Sequence, residues 1–388
     1  MKVKEQNVPV LRFPGFSGDW KTEDLKDIAG IYDGTHQTPK YKKKGVKFVS
    51  VENITNIDAT RKYISKEAFE KDFKTTPRRD DILMTRITAG IIGATAVVKN
   101  NDPLGYYVSL ALIRKKDSAI NTEFLNYRIN SDLFKHELHK RIIHVAFPKK
   151  INLGEIGRCK VSTTSLPEQQ KIASFLTAVD SKIKQLNKKK ALLEQYKKGM
   201  MQKLFSQEFR FKDEQGNDFP DWEVKRLAEL VSTMKSGIGI TSSNIFNAGT
   251  YPVYGGNGLR GYTEEYTHEG EYLLIGRQGA LCGNINRVSG QVFISEHAIA
   301  TQGNKYSDTD WLVHKLQFMN LNRLSESSAQ PGLSVKKLKR LKIKSPLKPE
   351  QQKIATFLSS IDKKITLIST ELNHAQSFKK SLLQQMFV

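Results

Sequence analysis

The sequence predicts an α+β fold in which two pseudo-repeated, mixed α/β domains are separated by two long helices that pack on each other. Three observations predict it. One short segment occurs twice in near-identical form. Each copy opens a long apolar seam of helical spacing. The stretches that precede the copies match at their ends and differ inside.

The repeated segment is PEQQKIASFL at residues 167–176 and PEQQKIATFL at residues 349–358, so the copies differ at one position. Such identity within one chain marks an internal repeat. The register continues downstream, with Asp180, Ile183, Gln202 and Phe205 matching Asp362, Ile365, Gln384 and Phe387. In the first copy Ile172, Leu176, Val179, Ile183 and Leu186 alternate at four and three residues, and Leu193, Met200 and Leu204 carry the pattern on past Lys190 and Lys197. In the second, Ile354, Leu358, Ile361, Ile365 and Ile368 do the same, followed by Leu372, Ala375, Leu382 and Met386, with Lys379 as the interruption. A period of 3.5 belongs to helices that pack along their length on another helix. Pro167 and Pro349 suit a first helical turn, where no N–H is missed, and the adjoining glutamates favour its positive end. At about 1.5 Å per residue, roughly 38 residues give helices about 57 Å long.

The repeat reaches beyond the helices. LRFPGFSGDW at residues 11–20 resembles FRFKDEQGNDFPDW at 209–222, and an amphipathic turn follows each. Four segments result: a first domain over 1–160, a helix segment over 161–207, a second domain over 208–343 and a helix segment over 344–388. In the first domain, strand-like runs lie at 46–51, 81–86, 91–98 and 106–113, and a helix is predicted from 122 to about 144. In the second they lie at 251–254, 271–277, 283–288 and 292–301, with a helix near 311–325 and a return through 331–335. Arg86 and Arg277 each end a strand-like run ahead of a glycine-rich stretch. One scaffold carrying two different readers fits this pattern.

The chain holds 62 Lys and Arg against 40 Asp and Glu, a net charge of +22. Nucleic acid is the commonest partner for such an excess, with an acidic protein or an anionic membrane as the competing explanation. The first six residues lead into no apolar leader, no run reaches membrane-spanning length, and the two cysteines have no metal spacing, so a cytoplasmic protein that needs no membrane is expected. Gly256, Gly258 and Gly261 fit the spacing of a dinucleotide loop, but no apolar helical stripe follows, which favours a flexible loop presenting Asn257, Arg260 and Tyr262 to a polar ligand, with a simple turn as the alternative. Asp221, Glu223 and Lys225 share one short segment, too local for a magnesium nuclease site, and the matching residues 18–22 lack the glutamate. His136, His139 and His144 have no accompanying ligand cluster. No catalytic centre, metal site or cofactor of this chain's own is therefore expected. Dense basic runs stand at 40–47, including Lys42, Lys43, Lys44 and Lys47, at Lys149 and Lys150, and at 335–344, including Lys336 and Lys337. Lysines near phosphate give sequence-blind affinity, whereas Arg, Asn and Gln on base edges give specificity.

The order of domain, PEQQKIA helix, second domain and second PEQQKIA helix resembles the specificity subunit of type I restriction-modification systems. The LRFPGF…W opening, YPVYGGNGLRGY followed by LLIGRQGALCG, and LPEQQKIASFLTAVDSKI are similar to that family's segments, and the resemblance covers essentially the whole chain. It implies a non-catalytic subunit with two target-recognition domains, each reading half of a bipartite site in double-stranded DNA. It further implies an antiparallel coiled coil that docks two methyltransferase subunits, which use S-adenosylmethionine to methylate adenine N6. Two motor-nuclease subunits that use ATP and Mg²⁺ can join them. From side-chain chemistry and loop position, Asn257, Arg260, Tyr262, Arg277 and Gln278 are the expected base contacts of the second domain, and Arg86, Thr88 and Lys47 those of the first. A self-sufficient DNA-binding regulator without methyltransferase partners is the competing expectation.

Overall fold

The structure is a computed structural model that describes residues 7–279, 281–325 and 332–388; the predicted leaderless start and Pro331 of the predicted return lie outside them. The chain divides into two compact units. One comprises residues 1–186 and 371–388, the other residues 187–370. Each long helix thus gives one half to each unit.

In the first unit the chain enters through Lys21–Asp24, which pairs antiparallel with Lys160–Thr163 just before the central helix, Leu166–Phe205. Between these strands lie a four-stranded antiparallel sheet in the order Ala29–Asp33, Leu110–Lys115, Ile82–Thr85, Thr95–Val97, and a three-stranded sheet of Tyr63–Ile64, Val46–Val49 and Leu104–Tyr106. Leu83, Leu110 and Leu112 from the first sheet share a core with Val49 and Tyr106 from the second.

The sequence places one strand at 106–113 where the chain makes two, and one helix at 122–144 where it makes Thr122–Asn130 and Asp132–His139. Ser131 causes the second break. Its backbone is extended, and its hydroxyl donates to the Arg128 carbonyl while accepting from the Phe134 N–H and the Arg128 guanidinium. A serine so placed caps a new helix more effectively than it continues an old one.

The second unit repeats the plan. Glu223–Arg226 pairs antiparallel with Lys342–Ser345, the strand that leads into the C-terminal helix, Lys348–Gln385. Between them is one six-stranded sheet in the order Val231–Ser236, Ala298–Gly303, His268–Gly276, Ile285–Ile294, Tyr251–Gly255, Gly258–Thr263, with a single parallel pairing, between Tyr251–Gly255 and Ile285–Ile294. The chain runs straight through Ser289–Gln291, where the sequence predicts a break, and turns instead after Ile294. The exposed Ser-Gly-Gln looks like a loop in sequence, yet its backbone pairs fully with 269–271.

Within each unit the two long helices run antiparallel. In the first, Ile172 and Leu176 share a core with Leu382, Met386 and Phe387; in the second, Met201, Leu204 and Phe205 share one with Ile354, Leu358 and Ile361. Ile172, Leu176, Leu186, Ile354, Leu358, Ile361 and Ile368 are buried, and Val179, Ile183 and Ile365 partly so.

The lysines that interrupt the seam have a partner in each unit. Lys379 Nζ lies 2.6 Å from Asp180, and Lys197 Nζ lies 2.7 Å from Asp362. These are equivalent positions of the two repeats, as are Thr177 and Ser359. A side chain from the domain completes each group: Tyr127 donates to Asp180 at 2.8 Å, and His314 Nε2 bonds Ser359 at 3.1 Å. A polar pair inside an apolar seam opposes other registers at some cost in stability.

The PEQQ segment explains its own duplication. Glu168 is buried and receives Arg12 Nε and Nη2 at 2.7 and 2.8 Å; Glu350 is buried and receives Arg210 Nε and Nη2 at 3.1 and 2.8 Å and Trp222 Nε1 at 3.2 Å. The next residue ties down the start of the domain helix. Gln169 accepts from the Asn121 N–H, and Gln351 from that of Asp308, the residues that N-cap Thr122–Asn130 and Thr309–Met319. In each unit, then, one turn of the long helix clamps the opening segment and the domain helix together.

Candidate nucleic-acid interface

In the second unit, Gly256 and Asn257 form the turn of a hairpin between Tyr251–Gly255 and Gly258–Thr263, where Gly255 faces Gly258. The glycines allow close backbone packing. A Cβ on Gly256 would sit 2.8 Å from both Gly276 Cα and the His297 carbonyl, and Gly258 has a positive φ of 98° that favours glycine. Strand–turn–strand geometry also rules out the dinucleotide reading, which requires a helix at the third glycine.

The hairpin tip therefore abuts the end of strand His268–Gly276, from which Arg277 and Gln278 emerge. The Arg277 N–H donates to the His297 carbonyl at 2.9 Å, and Asn286 Nδ2 donates to the Gly256 carbonyl at 3.2 Å. Arg260 folds over Gly255, where an added Cβ would lie 2.8 Å from its Cδ. Asn257, Arg260 and Gln278 are exposed and Arg277 is half-buried, so four of the five expected residues of this domain gather at one end of the sheet. Tyr262, the fifth, is half-buried farther along the hairpin, where its backbone pairs with Phe246. Sequence reasoning missed Asn286, whose side-chain amide donates to the Gly256 carbonyl, and His297, whose carbonyl accepts from the Arg277 N–H; neither carries a motif.

In the first unit a two-stranded ribbon pairs Ile87–Thr88 with Lys149–Lys150, placing Lys149 opposite Thr88, where the second unit has the antiparallel bridge of Gln278 with Gly332. Both lysines are exposed and Thr88 is half-buried, its hydroxyl accepting from the Gly90 N–H. Arg86 and Arg277 are equivalent in backbone: the Ile151 N–H bonds the Arg86 carbonyl at 3.0 Å, and the Leu333 N–H bonds the Arg277 carbonyl at 2.9 Å.

Their side chains differ. Arg86 is buried, donates to the Ile151 carbonyl at 3.2 Å and lies 3.6 Å from Asp33, and burial holds its pKa below the ordinary arginine value. This placement does not favour Arg86 as a base reader, since its side chain is buried and turned toward Asp33 and the Ile151 carbonyl, with Nε left without a hydrogen-bond partner. Lys47 is half-buried and donates to the Asp58 carbonyl, whereas Lys42, Lys43 and Lys44 stand exposed before the strand Val46–Val49.

Lys336 and Lys337 are exposed on the short helix Val335–Lys339, which buries Leu338 beneath them. The Asp221–Lys225 segment belongs to the scaffold: Trp222 is buried on Glu350, and Glu223 pairs with Lys225.

The family model described as "Type I restriction modification DNA specificity domain" matches residues 17–195 and again 220–376. The chain belongs to that specificity family. Each match spans one recognition domain and much of its long helix. The specificity subunit of the EcoprrI enzyme from Escherichia coli is 43% identical over 157 residues, which is 39% of this chain and 39% of that subunit. A MjaX specificity subunit from Methanocaldococcus jannaschii is 25% identical and covers 98% of this chain and 95% of its own length. Among solved structures, the type I S subunit from M. genitalium has the same fold, with a TM-score of 0.72 at 17% identity, covering 98% of this chain and 99% of that one. A structure of type I complex assembly and conformational transition covers the same shares with a TM-score of 0.54 at 17% identity. Among the described residues of this specificity chain, no helix is long and apolar enough to cross a membrane.

Proposed function

We propose that the chain directs a type I restriction-modification complex to an asymmetric, bipartite DNA site, each recognition domain reading one half. The observation that carries this reading is the pairing of one repeated clamp with two unlike interfaces. Glu168 and Glu350 each receive two N–H groups of an arginine from the opening segment, Arg12 and Arg210, whereas the domains present a Thr88–Lys149 ribbon in one case and an Asn257–Arg260–Arg277–Gln278 cluster in the other. Equivalent mounting with different surfaces favours two different half-sites.

Base reading in the second domain falls to Asn257, Arg260, Arg277 and Gln278, with Tyr262 beside them. Thr88 and Lys47 take that role in the first. Exposed Lys42, Lys43, Lys44, Lys149, Lys150, Lys336 and Lys337 supply phosphate contacts.

The chain itself performs no chemistry. Two methyltransferase subunits docked along the helices bring S-adenosylmethionine, and motor-nuclease subunits bring ATP and Mg²⁺. Helices of 40 and 38 residues support a spacer set by helix length. A helix about 57 Å long, at about 3.4 Å per base-pair step, matches at most roughly 17 base pairs of duplex. Inserting four residues after Ser181 tests this: the unread spacer changes length while both half-sites keep their letters in methylome sequencing. Altered letters with an unchanged spacer refute the helix as a ruler.

A further inference from the structure

We propose that the loop 144–148 of the first domain carries an apolar wedge, with Phe147 at its centre, that inserts into the base stack of the DNA half-site; this rests on the DNA-recognition reading above. The antiparallel register, Lys149 opposite Thr88 and Lys150 opposite Ile87, sends the chain out of one end of the ribbon as residues 89–91 on one side and 144–148 on the other. At that end three large apolar side chains have almost no cover: Ile91 is 74% exposed, Val145 98% and Phe147 91%. Their sequence neighbours Ile92 and Ile151 are buried in the core of the same domain. The domain therefore has apolar burial within reach and does not use it for these three.

Charge and shape point to the occupant. Lys149 and Lys150 adjoin Phe147 with both side chains exposed, and so does His144 on the other flank. Lysines attract a polyanion, and a duplex offers apolar surface at its thymine methyls and, most extensively, between its stacked bases, where Phe, Ile and similar side chains act as wedges. A two-stranded ribbon is also narrow enough to enter a groove. A protein-docking surface would instead be expected as a broad contiguous patch. The sequence signal is the run Val145-Ala-Phe-Pro-Lys-Lys150, apolar residues leading directly into a basic pair.

The test exploits the tryptophans. Trp20, Trp222 and Trp311 are all buried, so F147W adds the chain's one solvent-exposed indole among the described residues. The full chain is assembled with its methyltransferase subunits, and fluorescence is read as the difference from the wild-type complex. On a duplex carrying the methylated motif, the F147W signal should be quenched and its access to acrylamide should fall several-fold. F147A should weaken binding to that duplex roughly ten- to hundredfold while methyltransferase association stays intact. An F147W signal unmoved by target DNA, with F147A binding as tightly as wild type, overturns the wedge. So does an F147W signal that shifts on adding methyltransferase before any DNA, which would make the loop a protein contact. A wild-type complex that methylates no single motif defeats the recognition reading itself; specific methylation with a silent F147W defeats only the wedge.

Discussion

Truncating Arg210 tests whether the clamp at the start of the C-terminal helix holds the second domain. Glu350 is 0% exposed, and its carboxylate is met by two N–H groups of Arg210 and one of Trp222. R210A removes the countercharge and leaves a buried carboxylate with the Trp222 N–H. Breaking a buried pair in this way costs about 3–5 kcal/mol. The Arg210 side chain is 22% exposed, so its removal admits some water and places the cost near the lower end, about 3 kcal/mol. E350Q keeps the shape but removes the charge and should cost about 2 kcal/mol. Because both changes act on one interaction, the double variant should fall short of the sum by about 1.5 kcal/mol or more. Urea unfolding of the full chain, followed by tryptophan fluorescence, reads this: Trp222 and Trp311 report the second unit and Trp20 the first. Single costs under about 1 kcal/mol, or strict additivity, would refute the clamp.

Further outcomes follow from other groups. D362K should destabilise the second unit by setting two lysines together, and K197D should recover most of the loss by restoring the 2.7 Å pair; no recovery means the pair does not set the register. Lys315 is buried under the rings of Phe205, Trp222 and Phe318, and burial, with Lys344 nearby, pushes its pKa down to about 8. Between about pH 8 and the ordinary lysine value, the unfolded chain holds a proton that the native chain has released, so stability should rise with pH across that window. The rise is at most about 3 kcal/mol and is lessened by the rings' attraction for the charged form; K315M should flatten the slope, and an unchanged slope assigns it elsewhere. R277A should cost about 1–3 kcal/mol at one base pair, read by competition among single-base variants of the site. K336A should instead weaken all sequences alike and reduce the salt slope by about 1.

The helices were legible because a repeat supplies its own control: two seams of the same period share one interruption, Lys197 in the first and Lys379 in the second, although Lys190 breaks only the first. Their partners were not legible. Asp180 and Asp362 look like ordinary solvent-facing residues until the antiparallel register sets each beside the other copy's lysine. Inside the domains, strands of two to six residues in the first unit leave little periodicity to read. The break at Ser131 depended on a local capping choice.

At the interface the glycine pattern suggested a flexible loop, whereas Arg260 and Tyr262 stand in the strand Gly258–Thr263 and only Gly256 and Asn257 form a turn, pressed so close to Gly276 and His297 that Gly256 has no room for a Cβ. Arg86 shows the limit of side-chain chemistry as a guide. It shares its backbone position with Arg277, yet Asp33 and the Ile151 carbonyl draw its guanidinium inward, and neither partner is near it in sequence.

One experiment bears on the whole reading: co-expression of this chain with a type I methyltransferase subunit from the same source in a methylation-free host, followed by genome-wide mapping of N6-methyladenine. Methylation at one asymmetric bipartite motif, lost when this chain is omitted, is the expected result. Absence of such a motif while the two proteins remain soluble and associated would contradict it and favour a DNA-binding protein that acts alone.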